Sequence, residues 1–291
     1  MGHYGLRAPD ASLVAGCLGV CFERIPMELR YSEWIVIAYF VYLAGAAAGV
    51  PGVRSRSRLA VTAMFAAATV PLVALLSYAP GGSVIREWAP FGYLLFGYWL
   101  PGRLVTAPNE AFERSLQAFD GRLFCGRADQ IGTMLPRAVA EFLEVAYLFC
   151  YPFLPLGFAW LLLANDADVD GFWTAVLLAG FFCYGTLPWL PTRPPRAIRG
   201  STSRHSSVRS ANRWVLDHAS VQWNTFPSGH VATAFATALV VASEQPGAGA
   251  VFLVGAVAIA IGSVVGAYHY AADAFAGVTI ALAAFLVSLH L

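Results

Sequence analysis

Eight apolar runs partition this chain, more than a soluble domain of its length can bury: Trp34 to Val50, Leu59 to Tyr78, Trp88 to Val105, Ala138 to Ala164, Phe172 to Leu190, His230 to Ala242, Ala250 to Ala267 and Ala271 to Leu291. Crossing a bilayer as a helix takes roughly 20 apolar residues, and most of the runs approach that length. The 291 residues are 58% hydrophobic and only 12% charged, where a soluble domain carries about 25% charged residues. The expected fold is therefore all-α: a polytopic membrane helix bundle with six to eight transmembrane helices. Two runs are irregular. Pro90 and Pro101 interrupt Trp88 to Val105, and each removes a backbone donor, so a re-entrant or interfacial path competes with a span there. The run from His230 is stopped early by Glu244-Gln245-Pro246-Gly247, which moves its start back into the preceding loop, near Ser228. Ala11 to Cys21 is too short to span and reads as interfacial.

The connections divide by charge. Every one of the 18 basic residues is arginine. Threading eight spans puts three Arg-rich connections on one side: 50–58 with Arg54, Arg56 and Arg58; 106–136 with Arg114, Arg122 and Arg127; and 191–227 with Arg193, Arg196, Arg199, Arg204, Arg209 and Arg213. The other side receives the N-terminus, the Pro80-Gly81-Gly82 turn, the acidic loop from Asn165 to Asp170 and the Glu244 turn. The positive-inside rule makes the Arg-rich side cytoplasmic, in what is expected to be the cell's inner membrane. A phosphate site would draw arginine to its own face whatever the orientation. The Ser- and Arg-rich stretch 199–213 has too few aromatics for a nucleic-acid platform and reads as a solvated or headgroup-level loop, so no nucleic-acid partner is expected. Five scattered cysteines (Cys17, Cys21, Cys125, Cys150, Cys183) form no zinc-ligand spacing with histidine and read as buried small apolar residues. No metal or cofactor is expected. Trp34, Trp88, Trp99, Trp189 and Trp223 read as interface-belt residues.

Two histidines stand beside the apolar runs, in Phe226-Pro227-Ser228-Gly229-His230 and in His269-Tyr270-Ala271-Ala272-Asp273. An ionisable group at a membrane helix end marks function by default. The threading brings both to the Arg-rich face, together with Pro191-Thr192-Arg193-Pro194-Pro195-Arg196. There Ser228 and Gly229 open a helix and offer backbone N–H groups, a hydroxyl and the positive end of the helix dipole, a ready anion site. Arg193 and Arg196 add guanidinium donors suited to phosphate. If the segment is helical, Asp273 lies one turn from His269 and can hold one imidazole nitrogen, leaving the other as nucleophile. His230 is then free to act as acid and base. Phosphoryl transfer needs little more. The chain reads as a single membrane domain, 1–291. Within it, 1–136 supplies N-terminal helices and loops suited to an acceptor or lipid pocket, and 137–291 is a catalytic core with motifs at 191–196, 226–230 and 262–273.

Pro-Ser-Gly-His, a later His-x-x-x-Asp and a preceding Arg-Pro segment resemble the three-part signature of the type 2 phosphatidic acid phosphatase superfamily of lipid phosphatases, lipid phosphotransferases and vanadium haloperoxidases. The resemblance covers roughly 191–277. It implies that His269 is the nucleophile that becomes phosphohistidine and that His230 protonates the leaving group. It further implies that Asp273 orients His269, and that Ser228, Gly229 and the first-motif arginine bind phosphate. Two positions depart from the pattern: Thr186 stands where the first motif begins with lysine, and Ser263 where the third carries arginine. Pro194-Pro195-Arg196 and His269-Tyr270-Ala271-Ala272-Asp273 are instead similar to the inositol-phosphorylceramide synthase branch, as is the Asp-x-x-Leu-Phe pattern of Phe119-Asp120-Gly121-Arg122-Leu123-Phe124. Asp120 is not read as catalytic; capping a helix, lining a headgroup pocket and having no role are all open to it. Fewer cations suit a phosphodiester donor, which carries one negative charge where a monoester carries up to two. The expectation is a lipid phosphotransferase using a phospholipid or polyprenyl phosphate donor and an alcohol acceptor. The alternatives are a phosphatase that uses water, and a non-enzymatic lipid carrier or scaffold.

Overall fold

The computed structural model describes residues 28–53, 55–163, 167–199 and 206–291. Among them lie thirteen helices and no named strand. Ala11 to Cys21, Cys17, Cys21, Arg54, Arg204 and His205 fall outside the described residues, as does part of the Asn165 to Asp170 loop. Each apolar run is helical, and the run 138–164 forms two helices. In chain order these are α1 (Tyr31–Gly49), α2 (Arg56–Leu76), α3 (Gly82–Gly102), the amphipathic α4 (Glu110–Leu123), the short α5 (Ile131–Met134), α6 (Arg137–Leu148), α7 (Cys150–Leu162) and α8 (Val169–Gly185). A short α9 (Pro195–Arg199) and α10 (Ser207–Ala219) lead to the last three, α11 (Gly229–Glu244), α12 (Pro246–Val265) and α13 (Ala271–Ser288).

Helices α1, α2, α12 and α13 are each long and apolar enough to cross a membrane, and α6 with α7 makes a fifth candidate if the bent pair is one span. The protein is an integral membrane protein. Its outer surface agrees, because Phe65, Leu72, Val251, Val254, Phe275 and Leu286 all face outward, the inverse of a soluble bundle. The run 138–164 is not one helix but two, inclined at 60°. Pro152 explains the break: it has no N–H to give the Leu148 carbonyl, and its ring crowds that position. Over Trp88 to Val105, α3 runs unbroken through Pro90, but it is not among the helices long and apolar enough to cross a membrane.

The two most enclosed helices are α8 and α11. Helix α8 is apolar on every side, with Phe172, Trp173, Val176, Leu177 and Cys183 buried, as expected of a helix at the centre of a bundle. It packs against α11, α13, α1 and α3. Helix α11 presents Gly229, Ala232, Ala234, Ala236 and Ala238 inward, small residues that let helix backbones approach closely. The tightest approach is to α13: a Cβ on Gly277 would stand 2.8 Å from the Ser228 carbonyl oxygen. Only glycine fits there without moving the start of α11.

The loops sort to two ends, as span counting predicts. At one end the Tyr31 and Ser32 N–H groups donate to the Asp170 carboxylate at 3.0 Å, Arg86 pairs with Glu33 at 2.7 Å, and Trp160 donates to Gln245 at 2.9 Å. At the other end Asn109 N–H donates to the Pro191 carbonyl at 2.7 Å and Arg196 N–H to the Ala267 carbonyl at 2.9 Å. Of the described cysteines, Cys183 is buried but Cys125 is exposed, in a turn with φ of 51°, so the buried reading fails at that position.

Candidate active site

Three segments from separate helices meet at the Arg-rich end. The first motif leaves α8 extended, and Thr192 bridges Asn224 in the loop before α11. The second motif is tied to the third, because Ser228 N–H donates to the Asp273 carbonyl at 3.0 Å. The third is a tight loop between α12 and α13 in which the Ser263 carbonyl accepts both Tyr268 N–H at 2.9 Å and His269 N–H at 3.0 Å. Both backbone N–H groups of the dipeptide that carries the histidine are thereby pinned.

His269 precedes α13 rather than lying within it, since Tyr270 is the N-cap and Ala267 has φ of 59°. Asp273 nevertheless reaches it. Its Oδ2 lies 3.4 Å from His269 Nδ1, a separation at which no hydrogen bond is formed. The same oxygen accepts Tyr270 N–H at 2.9 Å and Asn224 Nδ2 at 2.9 Å. The first of these is half of a capping box, in which the third helical residue reaches back to the N-cap. His230 opens α11 opposite, with ring centroids 6.0 Å from His269 and an interplanar angle of 78°.

Between the two rings lies a polar cavity of about 20 Å³ whose wall includes Arg196, Tyr184, Trp223, Asn224, His230 and His269. Of the expected site residues, Arg196, His230 and His269 line it, and Asp273 stands behind His269. Ser228 and Gly229 do not form its surface. Both are buried: Ser228 caps α11, and a Cβ on Gly229 would meet the Tyr184 ring at 2.2 Å. Arg193 is directed elsewhere. Glu113 accepts its backbone N–H at 2.9 Å and its guanidinium at 3.1 and 2.7 Å.

Several residues of the site carry no signal in the sequence. Tyr268 stacks on Tyr147 with centroids 3.9 Å apart, and the Arg196 guanidinium carbon lies 5.6 Å from its ring centroid. The Tyr268 hydroxyl donates to Glu144 at 2.6 Å, and Glu144 also pairs with Arg209 at 2.5 Å and accepts Asn212 Nδ2 at 2.8 Å. Arg209 and Asn212 are buried, so the described part of the Ser- and Arg-rich stretch is a helix packed on one face, with Ser210 and Arg213 exposed on the other, rather than a loop. Arg209 is neutralised by Glu144 rather than facing phosphate. Trp223 is a wall of the cavity, not a belt residue, because the Asn224–Thr192 bridge folds its loop over the site. His218 bonds the Trp214 carbonyl on the surface.

Residues 114–287, more than half of the chain, match the PAP2 superfamily. The chain belongs to that superfamily. Membership supports a phosphatase-type enzyme and covers all three motifs. No curated protein and no solved structure matches the chain. The superfamily's two missing cations have local explanations. Thr186 donates its hydroxyl to the Phe226 carbonyl at 2.6 Å, fastening the second-motif loop. Ser263, fully buried, supplies the carbonyl that pins His269.

Burial, and then the charge of Arg196, lower the His269 pKa from 6.5 to about 3. A ring so shifted is neutral at physiological pH and holds a lone pair on one nitrogen. Below pH 6.5 the unfolded chain takes up a proton that the folded site refuses until about pH 3, so stability falls as pH drops through that window and is unaffected above it. Thermal scans in detergent between about pH 6.5 and pH 3 should show a shallower loss of melting temperature in His269→Asn than in the unaltered protein. An unchanged slope would contradict a buried neutral imidazole.

Proposed function

We propose that this protein is a membrane-embedded lipid phosphotransferase that works through a phosphohistidine on His269. The observation that carries the reading is the pair of histidine rings, from different segments, set 6.0 Å apart across a cavity with Arg196 in its wall. His269 Nδ1 faces Asp273, which leaves Nε2 to attack phosphorus. His230 gives its proton to the departing alcohol oxygen as the bond to phosphorus breaks. It then takes the proton of an acceptor hydroxyl, whose oxygen displaces His269 and restores the free imidazole. Arg196 neutralises charge on the phosphoryl oxygens. In this reading divalent cations are dispensable. Activity lost on chelation and restored by a divalent ion would count against it.

Among the described residues Arg196 is the only arginine in the cavity wall. One cation balances the single charge of a phosphodiester, which favours a phospholipid donor and the inositol-phosphorylceramide synthase-like branch. Placed by the positive-inside rule, the site faces the cytoplasm. An apolar crevice of about 490 Å³ between α1 and α8, lined by Tyr39, Tyr42, Phe181 and Trp189, offers the N-terminal half a place for lipid chains. Arg196→Ala is expected to lower kcat/KM by about 30- to 100-fold, with the loss greater for a monoester than for a diester.

One observation favours the phosphatase alternative. The superfamily match itself supports a phosphatase-type enzyme, for which water is the acceptor. The deciding experiment supplies purified protein with labelled lipid monoesters and diesters, with and without candidate alcohols such as inositol or a ceramide. Transfer to the alcohol is expected. Release of free phosphate whatever alcohol is present would assign the site to hydrolysis.

A further inference from the structure

Two buried carboxylates on α4 take no part in the chemistry described so far. Glu113 and Asp120 lie two turns apart on the face turned toward the bundle, with Leu116 between them, and are 3% and 2% exposed. A carboxylate is costly to bury unless it is paired and hydrogen-bonded. Each of these reaches a different motif. Glu113 closes on Arg193 through the backbone N–H and two guanidinium nitrogens, at 2.9, 3.1 and 2.7 Å. Asp120 Oδ1 accepts the N–H of Ala271 at 3.0 Å, one of the donors that the first turn of α13 leaves without a helical partner. Asn109, the N-cap of α4, adds its link to Pro191. The opposite face of α4 exposes Ala111, Arg114, Ser115, Ala118 and Arg122, so the helix lies across the site rather than within the bundle core.

These contacts join α4 to both parts of the site that must keep register. Pro194 and Pro195 stiffen the backbone between Arg193 and Arg196, so a shift at Arg193 is passed to the cation of the cavity. Ala271 opens the helix that carries Asp273, two residues after His269. Arg193 holds its charge on Glu113. Burial pushes the Glu113 carboxyl up, but the hydrogen bonds and charge of Arg193 outweigh it and hold the pKa below the usual carboxylate range.

We propose that α4 is a brace for the active site in which Glu113 and Asp120 are positioning residues: Glu113 sets the loop that presents Arg196, and Asp120 sets the start of α13, which presents Asp273 to His269. The inference rests on the phosphoryl-transfer reading of the site. It gives Arg193 a role through Glu113 rather than on the phosphate.

The test uses the full-length protein in detergent, with orthovanadate as phosphate mimic, its dissociation constant measured by calorimetry, and thermal melting to keep the folded fraction constant. Glu113→Ala and Arg193→Ala should each weaken vanadate about tenfold, and the double variant no more than either single, because the two residues act as one unit. If Arg193 contacts phosphate directly, Arg193→Ala weakens binding while Glu113→Ala, which frees the guanidinium, leaves it equal or tighter. That result overturns the brace. Asp120→Ala should also weaken vanadate about tenfold, with Asp120→Asn, which keeps an acceptor oxygen, recovering most of it. An equal loss in the two Asp120 variants, or vanadate affinity unchanged in both, overturns the second arm. Wild-type protein that binds vanadate but transfers no phosphoryl group would sink the proposed activity instead, and the brace would still be judged on the vanadate constants.

Discussion

His269→Ala should abolish turnover, with a loss of at least about 10⁴-fold in kcat, because in the proposed reaction it is the covalent nucleophile, whose removal takes away the route and not merely a contribution to it. The measurement is release or transfer of label from a lipid phosphate by protein purified in detergent, at equal folded fraction. Geometry makes the residue hard to replace. Its N–H and that of Tyr268 converge on the Ser263 carbonyl, Asp273 stands 3.4 Å from Nδ1, and the ring lines the polar cavity. No other side chain of the wall combines a neutral lone pair with that position except His230, which belongs to a different segment. A second readout tests the intermediate itself. Protein quenched in base during turnover should carry label that acid removes, the behaviour of a phosphoramidate, and His269→Ala should carry none. Residual activity above about one per cent with label still on the protein would move the nucleophile elsewhere. Near wild-type activity would favour the non-enzymatic alternative, in which the fold only carries lipid.

Much of this site could be read from the chain because its chemistry is local in sequence. Pro-Ser-Gly-His and His-x-x-x-Asp are short, and span counting alone brings them to one face, where the structure places His230 and His269 across a cavity. Helix positions were equally legible, since apolar runs are long signals that no nearby alternative satisfies. What stayed hidden depends on contacts between distant residues. Arg193 and Arg196 look equivalent as arginines of one loop, yet Glu113, 80 positions away, takes the first, and the Tyr268 ring lies beside the second. Asp120 had helix capping among its open roles, but the capped helix, 151 positions on, has no mark in composition. Arg209 sits in a polar stretch that reads as solvent-facing until Glu144, from the middle of an apolar run, is seen to pair with it. The bend between α6 and α7 was available in principle. Pro152 announces it, but a run of apolar residues does not show whether a proline kinks a helix or ends it.

His230→Ala should lower turnover of a natural lipid ester by about 10²- to 10³-fold, and the size of the loss should depend on the leaving group. A departing alkoxide is a strong base and gains most from a proton supplied in the transition state; a nitrophenolate is stable without one. With a nitrophenyl phosphate ester as donor, the same variant should lose less than about tenfold, whereas His269→Ala should lose both activities. This contrast separates the two histidines more sharply than any single rate. The structure supplies the reason to expect it. His230 stands at the first turn of α11, its ring set among Tyr98, Tyr147 and Tyr151 with centroids 6.3, 6.0 and 5.6 Å away. Tyr147 also stacks on Tyr268, the neighbour of His269, so one aromatic assembly sets the position of both imidazoles. If His230 were only a wall of the cavity, its removal would slow both esters by the same factor. If it were the nucleophile, the nitrophenyl ester would be lost as completely as the lipid, and His269 would take the acid's dependence on leaving group.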